Sequence, residues 1–220
     1  MIDKPLVRRG AAAPARRRSR VAAWAALALL AALPATRAGG EAPVEPRVRE
    51  LVEKVCAGCH GIDGNSTVPT FPKLAGRHPE YIAFELREFR SGRRRSDVMA
   101  PVVAALDPAD FPALGAYFGA RKPLPGKVAD PAAAEAGRTL YADGNEASGV
   151  PACAGCHEED ASGGKRFPRL AGQHREYLVD QMEKFRSGAR GGPAASPMRA
   201  IARRMTDAEV RAVSEYLSGL

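Results

Sequence analysis

Cys56-Ala57-Gly58-Cys59-His60 is followed 97 residues later by Cys153-Ala154-Gly155-Cys156-His157. Working outward, Phe71-Pro72-Lys73-Leu74-Ala75-Gly76 returns as Phe167-Pro168-Arg169-Leu170-Ala171-Gly172 at an offset of 96. His78, Tyr81, Phe89 and Arg90-Ser91-Gly92 return as His174, Tyr177, Phe185 and Arg186-Ser187-Gly188 at the same offset. Met99, Leu106, Asp110 and Tyr117 return as Met198, Met205, Glu209 and Tyr216 at 99. Anchors in constant order, separated by small insertions, are the mark of a duplicated domain. The halves are read as residues 39–121 and 130–220, with a Pro- and Lys-bearing linker over 122–129.

Each half reads as helices joined by loops. Asp107-Pro108 supplies an N-cap and a first-turn proline for a helix running to about Phe118. Thr206-Asp207-Ala208-Glu209 is a capping box for the matching helix to about Leu217. Tyr81, Phe84, Glu85, Glu88 and Phe89 lie at helical spacing before Gly92, and Tyr177, Gln181, Lys184 and Phe185 before Gly188. Asp130-Pro131 and Pro46 start helices ahead of the two cysteine pairs. Sustained alternation is lacking, so the class is all-α.

The formal charge of +8 suggests a nucleic-acid partner until it is located. Residues 1–38 hold eight of the 33 basic groups and one of the 25 acidic groups, which leaves the remainder close to neutral. A nucleic-acid partner is therefore not expected. The basic stretch runs into the uncharged segment Val21–Leu33, then Pro34 and Thr36-Arg37-Ala38. That order is a secretory signal peptide, read as residues 1–38. Thirteen apolar residues are short for a span, which takes about 20. The mature protein is expected in the periplasm, soluble or loosely associated with the membrane surface.

In an exported chain, Cys-x-x-Cys-His is the attachment signature of haem c. Two thiols one helical turn apart meet the two vinyl groups of the porphyrin, and the adjacent imidazole reaches the iron. A closed zinc site would pool Cys56, Cys59, Cys153 and Cys156 but leave the repeated histidine unexplained. A thioredoxin-like pair would need a βαβ setting, and two disulfides would again ignore the histidines. Two covalently bound haem c groups are expected, through Cys56 and Cys59 and through Cys153 and Cys156. His60 and His157 are the proximal ligands. A flat apolar cofactor also fits an aromatic content of only 6%. Met99 and Met198 are repeat partners in short Pro-flanked segments, read as lying outside the long helices. They are assigned as the sixth ligands, while Met182 and Met205 are read as core. His78 and His174 are read as exposed polar residues at helix starts.

This order of motifs resembles class I cytochrome c domains, and the tandem form is similar to the dihaem cytochrome c4 family over the whole mature chain. The resemblance implies two haem domains related by a pseudo-twofold axis. It also implies that the carbonyls of Pro72 and Pro168 accept a hydrogen bond from the proximal imidazoles. One departure is Arg49, which stands near the position where the second half has Gly137, four residues before Tyr141. Close helix packing is expected there only in the second half.

His/Met ligation raises the reduction potential, and two filled sixth positions leave no place for a substrate. The chain is read as an electron carrier and not an enzyme. The family's role implies transfer from a quinol-oxidising respiratory complex to a terminal oxidase. Two alternatives are the dihaem electron-accepting subunit of a dehydrogenase, such as a sulfide-oxidising flavocytochrome, and a dihaem peroxidase. The second needs a five-coordinate haem, which paired Met99 and Met198 oppose. Arg93-Arg94-Arg95 is a candidate docking patch; its charge, with Gly61-Ile62-Asp63 in the first half against Glu158-Glu159-Asp160 in the second, predicts the higher potential for the first haem.

Overall fold

The computed structural model describes residues 44–220, so the leader read at 1–38 lies outside the described residues. The first half contains α1 (Pro46–Leu51), a π-helical turn (Val52–Cys56), α2 (Ala57–His60), α3 (Pro79–Arg90), α4 (Met99–Ala105) and α5 (Phe111–Gly119). The second contains α6 (Pro131–Asp143), α7 (Ala154–His157), α8 (Arg175–Ser187), α9 (Ser196–Arg204) and α10 (Asp207–Ser218). Among the described residues the only β pairing is two isolated bridges. The fold is all-α, two tandem cytochrome-c lobes.

Local chemistry sets the helix starts. The Asp130 side chain accepts from the backbone N–H groups of Ala132 and Ala133, and Asp107 accepts from Ala109. Thr206 and Glu209 form a reciprocal capping box at α10. Such caps each contribute about 1 kcal/mol by satisfying N–H groups that have no helical partner.

The two lobes bury their cores differently. In the second, α6 crosses α10 so closely that a Cβ on Gly137 would sit 2.0 Å from the carbonyl oxygen of Ala212. Only hydrogen fits there. In the first lobe α1 is short, and Val48 and Val52 pack against Phe111, Leu114 and Phe118. Arg47 ties α1 to α5 through both oxygens of Asp110, at 2.8 Å each. The glycine contact has moved to α3–α5, where a Cβ on Gly115 would lie 2.4 Å from the Pro79 carbonyl oxygen. This answers the departure at Arg49: close approach is kept, on a different helix pair.

The lobes meet along a seam built from repeat partners. Arg94 donates to Glu85 at 2.7 Å within its own lobe, and to the Tyr177 hydroxyl at 2.6 Å and Gln181 at 2.8 Å across the seam. Arg190 donates to Gln181 at 3.0 Å, and across the seam to the Tyr81 hydroxyl at 2.7 Å and to Glu85. Each guanidinium also lies over a phenylalanine of its own lobe, Arg94 over Phe89 and Arg190 over Phe185. Backbone bonds from Gly191 to the Arg93 carbonyl and from Arg95 to that of Ala189 complete the bridge. His174, expected to be exposed, is half-buried and donates Nε2–H to the Ser66 carbonyl across the seam at 2.9 Å.

Candidate functional site

In the first lobe Cys56 ends the π turn, and Cys59 and His60 close α2. The backbone then turns through Gly61, and the chain returns at Phe71-Pro72 beneath the imidazole. His60 Nδ1 lies 2.8 Å from the Pro72 carbonyl oxygen. A carbonyl only accepts, so Nδ1 carries the proton and Nε2 keeps a free lone pair. Burial pushes the His60 pKa down, and the bond to Pro72 only partly opposes this, so the ring is neutral. Phe71 packs edge-on to the ring at 6.4 Å.

The second lobe repeats this arrangement. His157 closes α7, Nδ1 donates to the Pro168 carbonyl at 3.0 Å, and Phe167 meets the ring edge-on at 6.1 Å. Burial again lowers the imidazole pKa. The carbonyl contacts implied by the family resemblance are present at both sites.

Cys56, Cys59, His60 and Met99 line one cavity of about 570 Å³, whose walls are largely apolar and include Leu114 and Phe118. That volume is in the range of a cofactor-sized site. Burial pushes the Cys56 and Cys153 thiols up to about 11. Redox-active pairs have lowered values, so these are not thiolates poised for exchange. Two thiols, one neutral imidazole with a free Nε2, one thioether and an apolar cavity fit haem c.

Met99 is the first residue of α4 and Met198 the third of α9, both half-buried. These short helices stand apart from α3, α5, α8 and α10, in keeping with segments read as lying outside the long helices. Pro101 and Pro197 fall in the first turn, where a missing N–H costs no hydrogen bond, so proline begins these helices instead of excluding them. Met198 stands on α9 as Met99 stands on α4; Met205 is buried in the second core and Met182 packs at its margin.

The Arg93–Arg95 patch does not exist as a unit. Arg93 is exposed but paired with Glu88 at 2.6 Å, Arg94 is buried in the seam, and Arg95 is exposed. Sequence reasoning could not see this, because Tyr177, Gln181 and Arg190 lie about 90 residues away. It also missed Glu158 and Ala161, which replace Gly61 and Gly64 at positive φ of 68° and 55°. The repeat register contained that information.

Helical lobes with a Cys-x-x-Cys-His turn, a proline carbonyl on the proximal imidazole and a helix-borne methionine define class I cytochrome c domains. The cytochrome c family model matches residues 47–118 and again 134–220. The chain is 44% identical over 169 residues to cytochrome c4 of Thiocapsa roseopersicina, covering 76% of this chain and 87% of that one. It is 36% identical to the thiosulfate dehydrogenase electron acceptor of Thiomonas intermedia, over 74% and 77% of the two chains. The crystal structure of reduced recombinant cytochrome c4 from Pseudomonas stutzeri superposes with a TM-score of 0.73 at 34% identity, covering 79% and 97%. The chain belongs to the dihaem cytochrome c4 family. Members of that family are electron carriers without catalytic activity, and tandem cytochrome c domains imply two covalently bound haem c groups.

Proposed function

We propose that this protein carries electrons in the periplasm between a quinol-oxidising respiratory complex and a terminal oxidase, on two haem c groups. Cys56 and Cys59 hold one through thioethers and Cys153 and Cys156 the other. His60 and Met99 ligate the first iron, His157 and Met198 the second. Haem c bound in this way supplies a one-electron ferric–ferrous couple.

The observation that carries this reading is the paired geometry at His60 and His157. In each, the Nδ1–H bond to a proline carbonyl fixes the tautomer and presents Nε2 beside two thiols. The protein's part is to hold imidazole and thioether in place and to exclude water with an apolar wall. A site that changes little between oxidation states needs little reorganisation, and His/Met ligation keeps the potential high. No described helix is long and apolar enough to cross a membrane. Peripheral association with the membrane would bring the carrier to membrane-bound partners.

Purified protein tests the haem assignment directly. Acid-acetone should leave the colour on the chain, and the intact mass should exceed the processed polypeptide by two haems. Extraction of the pigment would refute covalent attachment.

A second reading is supported by the likeness to the electron acceptor of thiosulfate dehydrogenase. Here the chain would accept electrons from a dehydrogenase and not from a quinol-oxidising complex. Stopped-flow reduction by each donor separates the two: the physiological donor should give the faster second-order rate at equal driving force.

A further inference from the structure

Arg77 follows Gly76 at the end of the Phe-Pro-Lys-Leu-Ala-Gly segment, and its repeat partner is Gln173. Both are buried, at 7% and 2% exposure. Both reach the same residue. Arg77 Nε donates to the Lys73 carbonyl at 2.8 Å, and Gln173 Nε2 donates to that carbonyl at 3.0 Å while its Oε1 accepts from the Lys73 N–H. Arg77 is thus held on the seam between the lobes. It lines the large cavity together with His60, Tyr81, Tyr177 and Arg190. Gln173, which shares the Lys73 carbonyl with Arg77, belongs to the second lobe, and so do Tyr177, Gln181 and Arg190 in the cavity wall, so the cation stands between the two lobes.

Its charge has no carboxylate partner among the described residues. Glu85 is shared by Arg94 and Arg190. Glu88 is held by Arg93, Asp180 by Lys184 and Glu176 by Arg175. Three buried guanidinium groups, those of Arg77, Arg94 and Arg190, therefore stand at the cavity and seam against its one buried carboxylate. A buried charge without a counter-ion is strongly destabilising, because its desolvation is not repaid by a partner. Planar guanidinium is the donor best matched to a carboxylate. Haem brings two propionate carboxylates, and attachment through the vinyl groups at Cys56 and Cys59 leaves them free to reach this cation.

We propose that Arg77 is a cation shared by both haem sites: it binds a haem propionate at the seam and raises the potentials of both haems together. Because Gln173 fills the repeat position with a neutral amide, one charge serves two sites. Arg77 is a positioning residue for the cofactor, and the proposal rests on the haem reading above. Absence of covalent haem would refute that reading, whereas loaded protein with unaltered potentials would refute only the role of Arg77.

The test is a spectroelectrochemical titration of the haem-loaded wild type, R77Q and R77K. R77Q places at 77 the residue already present at 173. Both midpoints should fall in R77Q, and R77K should restore most of the shift. A shift at one haem only, or at neither, overturns the proposal. If R77Q does not accumulate, nitrogen-15 arginine labelling of the wild-type protein decides. The Arg77 Nε–H resonance should move when either haem is oxidised, and a response to only one or to neither overturns the shared role.

Discussion

Arg94 of the first lobe and Arg190 of the second stand opposite each other in an isolated antiparallel bridge and close on one carboxylate, that of Glu85. The repeat counterpart of Glu85 is the neutral Gln181, which accepts from both guanidinium groups. The seam has near-twofold hydrogen bonding but not twofold charge.

Glu85→Gln is expected to weaken this seam by about 3 kcal/mol, because removing one member of a buried ion pair strands the others. Burial alone would raise the Glu85 pKa, but Arg94 and Arg190 overrule it and hold the carboxyl at about 2, below its ordinary 4.5. The folded value is the depressed one, so the stabilisation is complete above pH 4.5 and is lost as pH falls toward 2. Denaturant melts of wild type and E85Q should differ at pH 7 and converge toward pH 2. Equal stabilities at pH 7 would show that the shared carboxylate contributes nothing.

Met99→Ala and Met198→Ala should each remove one thioether–iron bond and leave the other site intact. The ferric sulfur-to-iron charge-transfer band should lose about half its intensity in either variant, as expected for two equivalent His/Met sites. Loss of the band in Met205→Ala would mean that the second sixth ligand is misassigned.

Gly137→Ala should destabilise the second lobe by roughly 3 kcal/mol, the upper end for an overpacked contact. The added methyl would meet backbone at Ala212, and backbone cannot rotate away as a flexible side chain would. Thermal unfolding followed at the haem absorbance reads this out, and an unchanged melting temperature would contradict the packing at the α6–α10 crossing.

Glu158→Gly should stabilise the second lobe by about 1 kcal/mol. Glu158 has φ 68° and ψ 157°, a conformation almost confined to glycine, and Gly61 occupies the matching place in the first lobe. Its carbonyl accepts from the Tyr141 hydroxyl at 2.5 Å, a bond that the substitution keeps because it uses backbone. A lower melting temperature would mean that the Glu158 side chain contributes more than its backbone strain costs.

Most of the site was legible because its chemistry is local. Cys56, Cys59 and His60 lie within one turn and a half, so their spacing brought them together, whereas the Pro72 contact was implied by the family resemblance. The caps at Asp107, Asp130 and Thr206 were equally local, and all three form. What escaped the sequence is non-local. The seam joins Arg94 to Tyr177 and Gln181, and the loop that reads as a surface run of three arginines is divided between a pair within its own lobe, the interface and solvent. With Arg94 facing both lobes, that arginine no longer distinguishes the two haems, whereas the contrast between Gly61-Ile62-Asp63 and the exposed Glu158-Glu159-Asp160 remains.

The pairing of Tyr81 with Arg190 and Tyr177 with Arg94 is the pattern of an isologous dimer, in which each surface contacts its own copy. Two identical separate chains would have to carry the same residue at both positions now held by Glu85 and Gln181, and likewise at those of Arg77 and Gln173. Joining the copies in one polypeptide removes that constraint. The chain can then place a single negative charge and a single unpaired positive charge on what would otherwise be a symmetry axis. Duplication followed by fusion thus gave this protein independent control of the field between its two redox centres, which a homodimer of the same fold could not have.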